Sequence, residues 1–288
     1  MGSKRKAFVH IGLDDGSGDF VDAALELHQR ALAELGVRRP ATSSEEMFRA
    51  ALEMLRTHRD WGYTRDEVEG AWTTIVNRGQ KGKDTLVFSQ ALLAAARPEQ
   101  AALLVDALSG FEVHVVVTVR APDAWTLPGE PGHDLGAVLA TWGAAVKKPQ
   151  RVHVIVSENP RPTWKSLGKV VGFGTSSLTI DRSPSATRTR PPHLTPAARL
   201  DVLRALGTSW VDLLAHSEYD VVGDPALLVP SADAAITPEV LAGMAEHALR
   251  DALAEIERLG HRNASLEARL EKVEKKRKKL KRKLAAVA

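Results

Sequence analysis

Two kinds of apolar segment alternate along the first 172 residues of the chain. Short, nearly continuous apolar segments are typical of buried strands, and the chain contains four of them: Ala7–Gly12, Asp84–Phe88, Glu112–Val119 and Arg151–Ser157. Segments with helical periodicity separate them: Phe20–Leu35, two that begin at the capping boxes of Ser43 and Thr64, Ser89–Ala96, Pro98–Leu108, His133–Val146 and Thr163–Val171. Strands that alternate with helices predict an α/β fold, with a parallel sheet flanked by helices.

The alternation weakens after Gly172. The segment Ser176–Pro192 is rich in Ser, Thr, Arg and Pro, which predicts an irregular surface segment. Thr195 is followed by Pro196, a pair typical of a helix start, and the pattern predicts a helix that continues through Leu206.

A heptad repeat marks the C-terminal part of the chain. Thr237 and Pro238 predict a helix start, and from Leu249 residues can be assigned to heptad positions without a break. The a positions are Leu249, Ile256, Asn263, Leu270, Arg277 and Leu284, and the d positions are Ala252, Leu259, Leu266, Val273, Leu280 and Val287. Asn263 at an a position is typical of a parallel two-stranded coiled coil.

This pattern predicts two parts of the chain, an α/β domain over residues 1–236 and a C-terminal helix over residues 237–288. The seam predicts that the helix forms a coiled coil and that the protein is a homodimer. Two alternatives stay open: the helix packs on its own domain, or it remains single.

The composition excludes several classes of site. The chain has 288 residues and no cysteine, which removes disulfides, thiolate zinc sites, iron–sulfur clusters and cysteine nucleophiles. No metal site is predicted, because no set of histidines has a convincing ligand spacing. No apolar run approaches the roughly 20 residues that a membrane span needs, and no cleavable signal pattern is present. We therefore expect a cytoplasmic protein without a transmembrane segment.

The positive charge is concentrated at the C-terminus. From Glu271 to the end, nine Lys or Arg residues oppose two Glu, so this stretch carries +7, and the preceding residues carry −4 of the formal net charge of +3. The basic stretch Lys272–Lys283 has two interpretations. It is either the solvated face of a coiled-coil end or a contact for an anionic partner, a nucleic acid or a lipid surface.

A resemblance to a known family begins at the first strand. The sequence FVHIGLDDGSGDFVDAAL has the strand, Gly-containing loop and helix of a phosphate-binding loop. LVFSQALLAAARPEQAALL, FEVHVVVTVR and LGAVLATWGAAVKKPQRVHVIVS follow it. In order and spacing these segments are similar to the actinobacterial branch of the PAPS-dependent sulfotransferases, over Ala7 to Gly172. The resemblance implies a P-loop-type sheet.

The resemblance also implies where the donor nucleotide would bind. In the family, the first loop holds the 5′-phosphosulfate of PAPS, which corresponds here to Gly16, Ser17 and Gly18. An Arg at the end of the third of these strands contacts the 3′-phosphate, and Arg120 stands at the matching position. These four residues are the predicted cofactor-binding residues.

Three departures from the family pattern argue against the family reaction. Asp15 replaces the Lys that neutralises the phosphosulfate, the expected Ser after Arg120 is absent, and Gln90 stands in a stretch where relatives carry an acid–base residue. Two unit charges about 4 Å apart interact by about 4 kcal/mol at an effective dielectric constant of about 20. Carboxylates around this loop are therefore expected to repel an anionic donor by several kcal/mol.

The loop itself has a purely structural interpretation. Asp14 and Asp15 would form a turn, Gly16 and Gly18 would supply positive φ angles, and Asp19 would cap the following helix. A divalent cation on the carboxylates is an alternative, although the loop lacks the pattern of an EF-hand. A modified nucleotide or a cationic ligand is a further alternative.

Three functional hypotheses follow. The first is a degenerate, non-catalytic sulfotransferase-like scaffold without a cofactor, whose basic coiled-coil tail self-associates. The second is an active sulfotransferase that uses PAPS as its cofactor on an unknown hydroxyl or amine, with catalytic residues unknown. The third is a dimeric binder of nucleic acid or anionic membranes. His10, His114 and His153 lie in or beside strands and are expected to be hydrogen-bonded structural residues.

Overall fold

The computed structural model describes residues 4–13, 18–122, 126, 130–180 and 197–231, and residues 256, 260, 263–264, 266–267 and 270–278 near the C-terminus. The side chains of residues 19 and 197–199 fall outside this description. The chain comprises two compact units, Met1–Ala234 and Ala235–Ala288.

Six parallel strands form one sheet in the first unit, in the order β2-β3-β1-β4-β5-β6. The strands are β1 (Lys6–Gly12), β2 (Val37–Arg38), β3 (Thr85–Ser89), β4 (Glu112–Val119), β5 (Val152–Val156) and β6 (Asp220–Val222). The predicted α/β fold with a parallel sheet is therefore confirmed. The P-loop type of the fold stays a prediction.

Helices cover both faces of this sheet. They are α1 (Asp19–Leu27), α2 (Gln29–Glu34), α3 (Ser44–Leu55), α4 (Arg65–Val68), α5 (Ala71–Gln80), α6 (Pro98–Ala107), α7 (Leu135–Val146), α8 (Pro160–Val171) and α9 (Ala197–Ala215). Short 3-10 helices occupy Ala91–Ala95, Pro149–Arg151 and Pro225–Leu228. None of the helices within the described ranges is long and apolar enough to cross a bilayer.

Alternating side chains of the strands build two cores. In β1, Ala7, Val9 and Ile11 point to the face covered by α3, α5, α6, α7 and α9. Phe8 points to the opposite face, which α1, α2 and α8 cover. The sheet is thus buried on both sides, as the continuous apolar strands predict.

Two predicted helices are interrupted. The segment Phe20–Leu35 forms α1 and α2, which meet at His28. The helix predicted from Thr64 ends after one turn, and α5 begins after Gly70, whose φ of 78° is left-handed. The carboxylate of Glu53 on α3 accepts hydrogen bonds from the amides of Gly70 and Trp72 and so caps α5 from another element.

The sequence pattern missed the strands β2 and β6. They contain two and three residues and lie at the two edges of the sheet. Segments this short carry no recognisable periodicity, so only their pairing with β3 and β5 defines them.

The C-terminal predictions are tested only in part. Residues 181–196 lie outside the described residues, and α9 contains the predicted helical segment from residue 197 to Leu206. In the second unit the described residues are helical, and their side chains are exposed. The coiled coil and the homodimer stay predictions.

Candidate functional site

The strand order points to a ligand site at the carboxyl ends of β1 and β4, which are neighbours in the sheet. From β1 the chain crosses to β2 on one side, whereas from β4 it crosses to β5 on the other. Open parallel sheets bind ligands outside the carboxyl ends of strands whose connections diverge in this way. We call this region, with the first turn of α1, the β1–β4 edge.

Gly18 is the residue of the predicted phosphate loop that the structure describes. It is buried at the N-cap of α1 with a φ of −115°. A Cβ at this position would overlap Thr118 Oγ1 and lie 2.9 Å from His10 Cε1 and 3.0 Å from Gly12 Cα. Two expectations are therefore wrong: Gly18 has no positive φ, and Asp19 is the first helical residue rather than the cap. Close packing is the reason for glycine here.

The other loop residues are not placed. Asp14, Asp15, Gly16 and Ser17 lie outside the described residues. Donor binding by Gly16 and Ser17 stays a prediction, as does the repulsion that we expect from the two carboxylates.

Arg120 follows β4 directly and therefore lies at the same edge of the sheet as Gly18. Gly18 packs against Thr118, two residues before Arg120, and the amide of Leu13 donates a 3.2 Å hydrogen bond to the Thr118 carbonyl. The fold thus brings two of the four predicted donor-binding residues to neighbouring elements of the β1–β4 edge. Their roles as nucleotide ligands stay predictions.

His10, Ser89 and Thr118 form a buried polar cluster beneath this edge. His10 Nδ1 lies 2.8 Å from Ser89 Oγ, and Nε2 lies 3.2 Å from Thr118 Oγ1. All three side chains are buried, and complete burial lowers the pKa of His10 from 6.5 to about 3. The neutral imidazole ties β3, β1 and β4 together, which confirms the structural role predicted for His10.

The same geometry restricts the chemistry of Ser89. A general base works best when its pKa lies near the operating pH, and burial holds the pKa of His10 at about 3. His10 is therefore a poor base for activating the Ser89 hydroxyl. Sequence reasoning missed this cluster, although its signal was present: the strand-end polar residues Ser89 and Thr118 interrupt apolar runs.

Gln90 has a local role next to this cluster. Its amide donates a 3.2 Å hydrogen bond to the His10 carbonyl, and its side chain accepts one of 3.4 Å from the amide of Leu92. It thereby caps the 3-10 helix Ala91–Ala95. Gln90, which the resemblance places in a stretch where relatives carry an acid–base residue, thus forms hydrogen bonds with the backbone.

A buried ion pair lies between α1 and the end of β2. Arg39 is only 2% exposed, and its guanidinium donates hydrogen bonds of 2.9 Å to both carboxylate oxygens of Asp22. It also donates to the carbonyl of Ala41 and the hydroxyl of Ser44. Sequence reasoning did not identify this buried cation. Because its guanidinium is hydrogen-bonded to Asp22 of α1, Arg39 supports the packing of α1.

A second polar cluster lies near the amino ends of β4, β5 and β6. His114 and His153 are hydrogen-bonded to each other and, at their outer nitrogens, to Glu112 and Asp220. Their predicted role as buried, hydrogen-bonded histidines is confirmed. Across the described ranges, no three His, Asp or Glu side chains are grouped as a metal ion would require.

Comparisons with known proteins add no family assignment. No protein-family model matches the chain, and no curated protein is significantly similar to it. The likeness to sulfotransferases therefore rests on the sequence motifs alone.

Proposed function

We propose that the α/β unit is a degenerate, non-catalytic relative of the PAPS-dependent sulfotransferases that serves as a scaffold for a self-associating basic helix. The observation that carries this proposal is the pair of carboxylates Asp14 and Asp15 in the connection between β1 and α1. The carboxyl end of β1, from which this connection starts, belongs to the β1–β4 edge, where an open parallel sheet binds its ligand. An anion that enters there is expected to be repelled by these two carboxylates.

The buried cluster beneath the edge supports the same proposal. His10 is held neutral between Ser89 and Thr118, and Gln90 caps a 3-10 helix. None of these four side chains offers a base with a pKa near neutrality. These side chains serve packing and hydrogen bonding instead of acid–base catalysis.

Isothermal titration with adenosine 3′,5′-bisphosphate tests the proposal. The wild-type protein is expected to give no binding heat, because Asp15 repels the phosphates. Asp15→Lys restores the cation of the family pattern and is expected to bind at least about tenfold more tightly, which corresponds to about 1.4 kcal/mol. The control is Asp106→Lys, which makes the same charge change on exposed Asp106 of α6.

Each other outcome contradicts a defined part of the proposal. Micromolar binding by the wild-type protein would show that the nucleotide site persists. Sulfate transfer from radiolabelled PAPS that disappears in Arg120→Ala would establish the active enzyme instead. If Asp15→Lys binds no better than Asp106→Lys, the β1–β4 edge is not a former nucleotide site.

Self-association is supported by the exposed heptad seam. Ile256, Leu270 and Val273 are 64%, 65% and 62% exposed, although large apolar side chains favour burial. A second copy of the chain would cover them.

Between Arg262 and Glu274, the charges beside the seam favour a parallel arrangement of the two copies. In that orientation, Arg262 at position g faces Glu267 at position e of the other copy, and Arg269 faces Glu274. An antiparallel pairing centred on this region would place like charges together. The charge pattern therefore agrees with the preference of Asn263.

The exposed basic residues support a second candidate function, the binding of an anionic partner. Lys272, Lys275, Lys276, Arg277 and Lys278 lie on a described helical stretch and are exposed. Binding to duplex DNA or to anionic vesicles is expected to weaken steeply with salt. A truncation after Gly260 should abolish it. Unchanged binding by the truncated chain, or binding that is insensitive to salt, would exclude this function for the tail.

A further inference from the structure

A continuous chain of hydrogen-bonded groups crosses β4, β5 and β6. His114 Nε2 lies 3.0 Å from Glu112 Oε1, and His114 Nδ1 lies 2.9 Å from His153 Nε2. His153 Nδ1 lies 2.7 Å from Asp220 Oδ2. His114 and His153 are 7% and 8% exposed as residues, and their rings are nearly parallel, with their planes at 17°. All four imidazole nitrogens therefore have a partner at hydrogen-bond distance.

A proton count shows that two neutral rings do not satisfy this chain. Each of the three contacts needs one proton between its two heavy atoms. A neutral imidazole has one N–H group, and an ionised carboxylate only accepts. Two neutral rings between Glu112 and Asp220 thus supply two protons for three contacts. One contact would then set two lone pairs against each other, at the buried His114–His153 contact or at one of the part-buried outer contacts, which is costly.

We propose that the His114–His153 pair is a proton-binding site that holds one proton in the folded protein and thereby fastens the edge strand β6 to β5. With three protons on four nitrogens, His114 donates to Glu112, and His153 donates both to His114 Nδ1 and to Asp220. The pair then carries one positive charge. This proposal is independent of any nucleotide site.

The surroundings of the pair place the charge on His153. Burial lowers the pKa of His114, so this ring favours its neutral form. Glu112 also accepts a 3.1 Å hydrogen bond from Arg151, whereas Asp220 is paired with His153. When neutral His114 donates to Glu112, both nitrogens of His153 face acceptors, which is the arrangement of a protonated ring.

The other neighbours of the pair are consistent with a single charge. Phe8 of β1 stacks on His114 with ring centroids 4.8 Å apart. Lys6 of β1 repels positive charge on His114. A second proton would place two cationic rings in contact, in addition to Lys6 and Arg151. The pair is therefore expected to hold a single proton and to resist a second.

The site couples pH to the edge of the sheet. Asp220 is the first residue of β6, and it is paired with His153 in the strand register. Loss of the proton at alkaline pH removes the hydrogen bond that His153 donates to Asp220. Because the proton is the donor for the contact between His153 and Asp220, its stabilisation of β6 is expected at lower pH and should decline as the pair loses the proton at higher pH.

Nitrogen NMR of the histidine rings tests the proton count directly. At pH 7.5 we expect both nitrogens of His153 to be protonated and His114 to have a single proton, on Nε2. Two neutral rings at this pH would overturn the proposal without the need for any variant.

Asp220→Asn is the variant that removes the need for the additional proton. An Asn amide can donate to His153 Nδ1, so two neutral rings then satisfy all three contacts. We expect the variant to remain folded and its pair to hold one proton fewer at pH 7.5. The control is Asp106→Asn on exposed Asp106 of α6, which should leave the rings unchanged. An Asp220→Asn protein whose His153 stays doubly protonated would contradict the proposal.

Hydrogen exchange at the β6 amides tests whether the proton stabilises the pairing of β6 with β5. After correction for intrinsic exchange rates, wild-type protection at Asp220–Val222 should decrease between pH 7 and 9, and that of Asp220→Asn should stay constant. Equal pH dependence in both proteins would show that the proton does not fasten β6.

Discussion

At the scale of single residues, neighbouring strands dictate which side chains the β1–β4 edge accepts. His10 is buried between Ser89 and Thr118, and Gly18 packs directly on the same cluster. In both cases the restriction comes from residues that are distant in sequence, because β3 and β4 flank β1 in the sheet. Titration of His10 and enlargement of Gly18 are therefore expected to affect the whole sheet.

His10 should make the protein sensitive to acid. Burial lowers its pKa from 6.5 to about 3, so the unfolded chain takes up a proton that the folded chain refuses. This stabilisation is complete above pH 6.5 and is lost as the pH falls towards about 3. Between pH 6.5 and 5 the loss is expected to be about 1.5 kcal/mol.

Urea unfolding at the two pH values measures this effect. His10→Asn removes the titrating group, so its free energy of unfolding should depend less on pH by about that amount. The control His216→Asn changes an exposed histidine at the end of α9 and should retain the wild-type dependence. An unchanged dependence in His10→Asn would contradict the assignment.

Gly18→Ala should destabilise the sheet by overpacking. Its Cβ would meet Thr118 Oγ1 and the His10 ring, and such insertions typically cost about 1–3 kcal/mol. Gly110→Ala is the control, because open space surrounds the position of its Cβ. Thermal unfolding that is equal for the two variants would show that the α1 start is not tightly packed.

At the scale of elements, one helix supplies the cap of another. Glu53 of α3 accepts hydrogen bonds of 2.6 Å and 2.8 Å from the amides of Gly70 and Trp72. A carboxylate at a helix N-terminus also interacts favourably with the helix dipole. The break between α4 and α5 is thus stabilised from outside the segment that contains it.

Replacement of Glu53 should weaken this junction. Glu53→Ala removes both acceptors from the N-terminus of α5, and loss of a cap costs about 0.5–2 kcal/mol. The measurement is the free energy of unfolding in urea, with Glu34→Ala at an exposed end of α2 as the control. Equal free energies for both variants would argue against capping by Glu53.

At the scale of the whole molecule, the exposed seam governs the expected oligomeric state. Leu266→Glu places a charge at a d position and should convert the proposed dimer into a monomer, as measured by light scattering. Ala264→Glu adds the same charge at position b, outside the seam, and should leave the molar mass unchanged. A monomeric wild-type protein would contradict the dimer.

Disulfide cross-linking measures the relative orientation of the two helices. An introduced cysteine is the only one in each chain, because the sequence contains none. A single Leu266→Cys substitution puts identical d positions opposite each other only in the parallel register, where oxidation should cross-link the dimer. If the variant is dimeric but no cross-linked product forms, the two helices are antiparallel.

The sequence determined the layered α/β architecture and the structural nature of the three strand histidines. Continuous apolar runs such as Glu112–Val119 predict strands buried on both faces, because an unbroken apolar strand has no face to offer to water. The register that pairs His10 with Ser89 and places Asp220 beside His153 follows only from the assembled sheet.

The tertiary structure alone decided the short edge strands β2 and β6, the helix break at Gly70 and the polar clusters. Each of these depends on contacts between residues 17 or more positions apart, such as Glu53 with Gly70 or His114 with His153. Local periodicity reports which face of an element is apolar and does not report which element faces it. For that reason the sequence predicted the layers, and the proton-binding pair emerged only from the packing of the strands.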